Sequence, residues 1–220
     1  MIRNGIDTES FCTGEIEVRR LQEFKGIEAD SFVLGYLGRY MPEKGFPVLI
    51  RALELLKQWG ELPTNLRVLG LGWGAFIREY QAEIGRKALS RYFVFAPFQA
   101  DVRWVLRQLD LLVIPSLREA FPLVPVEGLV SGTPILASDC MGLREVLKDS
   151  PASVSRAGNA QELARAILEK YENPQKKEAE AYVEEARRRF DSRVTALELD
   201  KLFDQIVNNH RSLKAHELAE

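Results

Sequence analysis

Residues 31–59 read SFVLGYLG, RYMPEKG, FPVLIRALELLKQW. The first eight carry no charge and stop on Gly38, so they read as a strand buried on both faces. In the last fourteen, Val48, Leu49, Ala52, Leu53, Leu55 and Leu56 recur with charged residues between them, which is the spacing of an amphipathic helix. The seven residues between hold two cations, Arg39 and Lys44, on a loop bounded by Gly38 and Gly45. A buried strand, a glycine-bounded loop and a helix returning over the strand form the unit from which parallel sheets are built.

Downstream the pattern recurs. Leu66–Leu69 is a second strand, followed by a glycine turn and a helix through about Ile84. Tyr92–Ala96 is a third strand, and Asp101–Leu109 a short helix with Asp101 as its N-cap. Leu111–Pro115 is a fourth strand. A helix over Pro122–Val130 follows, with Pro122 and Pro125 in its first turn and Gly132 ending it. Pro134–Ala137 is a fifth strand, then a helix over Leu143–Leu147, a weak strand near Ala152–Val154, and a helix to Tyr171 capped by Asn159. The expectation is an α/β fold: a doubly wound, mostly parallel, Rossmann-like sheet with right-handed crossovers and extra C-terminal helices. Residues 31–172 form that domain, 1–30 a hinge and connector, and 173–220 a charge-rich helical tail. The tail's apolar stripe of Val194, Leu197, Leu202, Phe203, Ile206 and Val207 is expected to pack on the domain's own edge, with docking on a partner domain as the alternative.

Composition removes several classes. Thirty Lys and Arg against 32 Asp and Glu leave a net charge of -2, so the chain does not coat nucleic acid through bulk charge, and any attraction for phosphate is local. No apolar run reaches membrane-spanning length, and the N-terminus turns polar at once, unlike a signal peptide. Cys12 and Cys140 are far apart with no C-x-x-C, which suits a reducing, cytoplasmic setting. Both histidines, His210 and His216, fall in the tail. Chemistry in the compact part therefore rests on carboxylates, Arg, Lys and backbone amides, which disfavours Ser-His-Asp and Cys-His catalysis and His-ligated metal.

Ligands of such sheets bind beyond the carboxyl ends of the strands. After strand one, Arg39 and Lys44 suit a diphosphate, the guanidinium as a fork and the ammonium as a point charge. Two solvated surface cations are the plainer alternative. After strand two, Gly70-Leu71-Gly72-Trp73-Gly74-Ala75 satisfies G-x-G-x-x-[GA]. The acid that a dinucleotide fingerprint needs at the end of the next strand is missing, since that strand ends Phe95-Ala96-Pro97-Phe98-Gln99. This lowers an NAD-dependent oxidoreductase reading. After strand four, Glu119 lies in the loop and Glu127 about two turns into the helix, too far apart for a direct acid/base pair. The two can address different parts of one elongated ligand. On its mostly apolar helix, Glu127 is costly without a partner or ligand.

Together these segments resemble the C-terminal, donor-binding half of a family-4 retaining glycosyltransferase of the GT-B fold. Asn4-Gly5-Ile6-Asp7 with Phe11 resembles the N-G-V-D…F hinge. Gly38-Arg39…Glu43-Lys44-Gly45 resembles the G-R-x-x-x-E-K-G loop, and Gly70-x-Gly72 the glycine turn. Leu111 to Glu127 resembles the P-S-x-x-E-G-F-G segment with E-x7-E, and Gly132-Thr133-Pro134 to Glu145 the G-x-P…G-G-x-x-E stretch. The resemblance implies a substrate that is a nucleoside-diphosphate sugar, with no cofactor and no bound metal. It implies that Arg39 and Lys44 neutralise the donor diphosphate, that Glu119 contacts the transferred sugar, and that Glu127 binds the ribose. The N–H groups of Leu123 and Val124 would hold phosphate oxygens, and Gly38, Gly70, Gly72, Phe98 and Phe121 complete the nucleotide-sugar site. A glycan or lipid-linked acceptor would be bound through an N-terminal domain, the route also of any peripheral membrane contact. The isolated chain would bind nucleotide and transfer sugar poorly. Ala120 and Pro122 stand where the family has glycines, Met141 takes the first position of the G-G pair, and Pro125 lies inside the helix. These departures keep open a non-catalytic nucleotide-sugar-binding module or subunit; a GT-B epimerase or phosphorylase is a related alternative.

Overall fold

The computed structural model describes residues 4–13 and 19–217; the side chains of 12, 13 and 208–217, among them Cys12, His210 and His216, lie outside the described residues. The order is α1 (Ser10–Thr13), β1 (Phe32–Leu37), α2 (Phe46–Trp59), β2 (Leu66–Leu71), α3 (Ile77–Arg86), β3 (Phe93–Ala96), α4 (Arg103–Gln108) and β4 (Leu111–Ile114), then α5 (Val124–Val130), β5 (Ile135–Ser138), α6 (Met141–Leu147), β6 (Ser153–Ser155), α7 (Ala160–Glu172), α8 (Lys176–Ala181), α9 (Val183–Phe190) and α10 (Ser192–Glu217). The six strands form one parallel sheet in the order β3-β2-β1-β4-β5-β6, the doubly wound arrangement expected. Strand order reverses between β1 and β4, where Leu34 lies opposite Leu111. Chains leaving these two strands turn away from each other, and a crevice opens at their carboxyl ends.

Continuous burial of β4 and β5, and of all but the ends of β1, explains their unbroken apolar runs: helices cover both faces. On one face Phe46, Leu49, Leu53 and Leu56 of α2 pack with Leu163 and Ile167 of α7. On the other, Trp104, Val105 and Leu106 of α4 join Val126, Leu129 and Val130 of α5 and Leu143 and Val146 of α6.

Several boundaries differ from the sequence reading. Pairing with β3 extends β2 to Leu71, so Gly70 is a strand residue. Helix α5 starts at Val124; Pro125 is in its first turn, but Pro122 precedes it. Val102, not Asp101, is the N-cap of α4, while Asp101 Oδ1 accepts the Arg103 N–H at 3.0 Å. The charge-rich tail is helical, as expected, and its first part is divided at Tyr182 into α8 and α9.

The flanks belong to the domain more than their composition implies. Leu21 and Ile27 are buried, Phe24 stacks on Trp104 at 5.7 Å, and the Arg19 guanidinium lies 4.7 Å from the centroid of the same indole. Helix α9 packs on α5 and sinks Ala186 and Phe190 into its core. The path into the sheet meets the path out of it: Ile6 N–H donates to Phe190 O at 2.9 Å, Ser192 N–H donates to Ile6 O at 2.9 Å, and Thr8 Oγ1 donates to Asp191 Oδ2. Hydrogen bonds from Arg193 and Thr8 hold the Asp191 carboxyl well below the usual carboxylate range. The α10 stripe departs from its expectation: Val194, Leu197, Leu202, Phe203, Ile206 and Val207 are exposed instead of packing on the domain's edge.

Candidate functional site

Two loops meet at the switch point. Leu117 and Arg118 N–H both donate to Glu43 O, at 2.8 and 3.4 Å, which stitches the β4–α5 loop to the β1–α2 loop. The contact requires glycine at residue 45: its φ is 69°, and a Cβ there would run into the Pro115 carbonyl. The junction fixes the charged groups. Lys44 Nζ donates to both Glu119 carboxylate oxygens, at 2.7 and 2.9 Å, and Ser116 Oγ donates to Oε1 at 2.9 Å. Ser138 Oγ donates to the Ser116 carbonyl from below. Glu119 is thus aimed by donors from two loops.

A third loop lies across the first. Gly38 N–H donates to Leu71 O at 3.0 Å and Tyr40 N–H to Trp73 O at 2.9 Å. Added Cβ atoms at Gly72 and Gly74 would strike the Gly38 and Tyr40 backbones. The glycines that mimic a dinucleotide fingerprint therefore allow one loop to lie flat on another. Tyr36 Oη donates to Arg39 O at 2.9 Å, and burial pushes the Tyr36 hydroxyl well above the ordinary tyrosine range, so it remains a donor. The start of α6 forms the last wall. A side chain at Gly142 would collide with the Glu119 and Ala120 carbonyls, whereas Met141 is 76% exposed and meets no such obstacle.

Three hollows share Arg39 as a wall. The first, about 260 Å³, includes Gly38, Gly72, Trp73, Phe98 and Glu127 in its lining. The second, about 210 Å³, is bordered by Lys44, Ser116, Glu119, Leu123 and Val124. The third, open and about 480 Å³, is bordered by Lys44, Arg118, Glu119, Ala120 and Met141. Arg39 is exposed and has no carboxylate partner among the described residues. Glu127 likewise has no side-chain partner there, and burial raises its carboxyl above the usual range. Cations lie in the middle of the cleft with a carboxylate toward each side. That suits an elongated ligand with an anionic centre and hydroxyls on both flanks.

Of the residues singled out from sequence, Gly38, Arg39, Lys44, Gly72, Phe98, Glu119, Leu123, Val124 and Glu127 line this cleft. Gly70 and Phe121 do not. Gly70 leaves room for the Tyr40 hydroxyl behind the cleft, and Phe121 packs against the core. Glu119 and Glu127 border different hollows, as their spacing implies. Sequence reading passed over Trp73, Arg118 and Ser116 as lining residues. A tryptophan between two glycines was the signal for the first.

A doubly wound sheet with its unspent polar groups gathered at the switch point defines an α/β domain of the nucleotide-binding kind. Residues 17–189 match the family described as glycosyl transferases group 1, and the chain belongs to that family. It is 31% identical to EpsD of Bacillus subtilis strain 168 over 173 residues, which are 78% of this chain and 45% of that protein. It is 27% identical over 178 residues to the 2-deoxystreptamine glucosyltransferase of Streptomyces kanamyceticus, covering 79% of this chain and 45% of that enzyme. Among solved structures, Anabaena HepE in complex with UDP and glucose superposes with a TM-score of 0.81 at 27% identity, covering 93% of this chain and 56% of that one. The fold is thus that of GT-B glycosyltransferases. The chain spans about half the length of the relatives it matches. No helix among the described residues is long and apolar enough to cross a membrane.

Proposed function

We propose that the chain is the C-terminal, donor-binding half of a family-4 retaining glycosyltransferase. It would move a sugar from a nucleoside-diphosphate sugar to a glycan or lipid-linked acceptor, in glycan, polysaccharide or glycolipid synthesis. The observation that carries this reading is the single cleft in which unpartnered Arg39 and the Lys44–Glu119 pair lie between the Glu127 hollow and the open hollow beside Ala120 and Met141. HepE, a structural neighbour, is known in complex with UDP and glucose.

In this reading Glu127 accepts the ribose hydroxyls, which supply the hydrogen bonds its half-buried carboxylate lacks. Arg39 and Lys44 neutralise the diphosphate as the bond to the sugar breaks, and Leu123 and Val124 N–H groups hold phosphate oxygens. Charge that develops on the leaving group meets donors already in place, and no resident metal is required. The diphosphate competes with Glu119 for Lys44, and a carboxylate relieved of that partner accepts hydrogen bonds from the sugar. The acceptor is held by the other half of the protein, so the isolated chain binds donor and transfers sugar poorly.

Calorimetry with UDP-, GDP- and ADP-sugars tests the proposal; no binding of any of them at millimolar concentration defeats it. A second reading, a non-catalytic nucleotide-sugar-binding subunit, is favoured by Pro122, which borders the hollow beside Glu119 and brings no N–H there. Sugar transfer by the chain joined to its N-terminal counterpart decides between the two.

A further inference from the structure

The chain has three tryptophans, and two of them are spoken for. Trp104 is buried, stacked on Phe24 and covered by Arg19, and the Trp59 ring is covered by the Arg165 guanidinium at 4.9 Å. Trp73 is different: it is 61% exposed, and its indole has no ring or cation partner among the described residues. Its backbone is not loose. Gly72 and Gly74 press the tripeptide onto the Gly38–Tyr40 loop, and Trp73 O accepts the Tyr40 N–H. Flanked by glycines, the indole is the only side chain that this stretch presents. Phe98, 65% exposed, borders the same hollow from the β3–α4 connection, also without a ring partner. Two bare aromatic rings, one of them on a backbone pinned by the Gly38–Tyr40 loop, with their apolar faces left in water, are an unfavourable arrangement until something flat covers them.

The third member of the hollow is Glu127, a half-buried carboxylate with no side-chain partner among the described residues. A carboxylate and two aromatic side chains around one hollow match a nucleoside, whose hydroxylated ribose adjoins a planar base. Resting on the nucleotide-sugar reading of the cleft, the geometry points to Trp73 and Phe98 as an aromatic clamp that holds the donor's nucleobase by stacking. Every base has a π-face, so a clamp of this kind tolerates different bases. Donor choice then falls chiefly to the sugar end of the cleft, beside Ala120 and Met141.

Tryptophan emission of the full chain, titrated with UDP and separately with inorganic pyrophosphate, tests the clamp, with calorimetry alongside. UDP should quench emission, and pyrophosphate, which carries no base, should not. Trp73→Leu should abolish the UDP signal and weaken UDP binding about 5- to 150-fold, the range that base stacking supplies. Trp73→Phe should recover most of that binding, and an unchanged Tm for both variants excludes a folding defect. UDP, ADP and GDP should bind within about tenfold of one another, as sequence-tolerant stacking requires. Wild-type affinity in Trp73→Leu, or a preference above about a hundredfold for one base, overturns the clamp and leaves the proposed function standing. Failure of the wild-type chain to bind any nucleoside diphosphate overturns both.

Discussion

The two rims of the sheet are built from the same strands but differ in what they leave open. Beside the closed Lys44–Glu119–Ser116 group, the rim where the strands end keeps charged and aromatic groups without partners among the described residues. At the rim where the strands begin, donors find acceptors within the chain. Asp110 Oδ2 accepts the Val33 N–H at 2.7 Å, Asn65 donates to Asp30 O and accepts from Tyr171, and Thr133 Oγ1 donates to Leu106 O at 2.7 Å. Arg67 reaches the carbonyls of Gly26, Thr64 and Leu66. At the rim where the strands end, Arg39 and Glu127 have no side-chain partner among the described residues, and Trp73, Phe98 and Met141 stand in solvent. Groups closed on one another stabilise the fold. Groups left open cost something in the free protein and are repaid when a ligand arrives. Stability and binding should therefore respond to substitution separately at the two rims.

The harshest break is Gly45→Val. It places a Cβ against the Pro115 carbonyl at a φ of 69°. A loss of about 3 kcal/mol or more in denaturant unfolding is expected, together with loss of nucleotide binding as the loop junction opens. Next, Arg39→Ala and Lys44→Ala should each weaken diphosphate binding by about 1–3 kcal/mol in calorimetry. Arg39→Ala should leave Tm unchanged, because the guanidinium has no partner to lose; a clear fall in Tm would erase the contrast between the rims. Thr133→Val reverses the pattern, with about 1–2 kcal/mol of stability lost and nucleotide affinity kept.

The smallest effect has the opposite sign. Burial raises the Glu127 carboxyl in the folded state, so folding favours its protonated form. The resulting cost is absent at low pH and grows as pH rises above the unfolded carboxylate value of about 4.5. Glu127→Gln should then raise Tm at pH 7 by about 2–4 °C, a gain that shrinks toward zero near pH 4.5, while nucleotide binding weakens. A Tm gain independent of pH would show that the carboxylate is not the cause.

Helix α2 was legible to the residue, because left-handed glycines, Gly45 and Gly60, bound it on both sides. The sheet was legible because strands buried on both faces leave unbroken apolar runs. Charges placed directly after strands were legible too, and so most of the cleft was. What escaped depends on contacts remote in sequence. Gly70 looks like a ligand glycine until β3 pairs beside it and Tyr40 fills the space. Phe121 sits within a site motif yet turns to the core. The α10 stripe has the periodicity of a packed face, and periodicity does not say what covers it. Leu21, Phe24 and Ile27 read as connector until Trp104 is placed beneath them.

The bridge between Ile6 and Asp191 has a mechanical side. A pull on residues 4–8 and a torque on α10 meet at one junction, whose backbone bonds are Ile6 N to Phe190 O and Ser192 N to Ile6 O. No strand of the sheet lies along that path, so the load bypasses the six-stranded register. Side chains close the same junction, through Thr8–Asp191 and Arg193–Glu9, and Arg103 and Arg107 tie the next residues, Ser10 and Phe11, to α4, so the way in and the way out of the domain are anchored together outside the sheet.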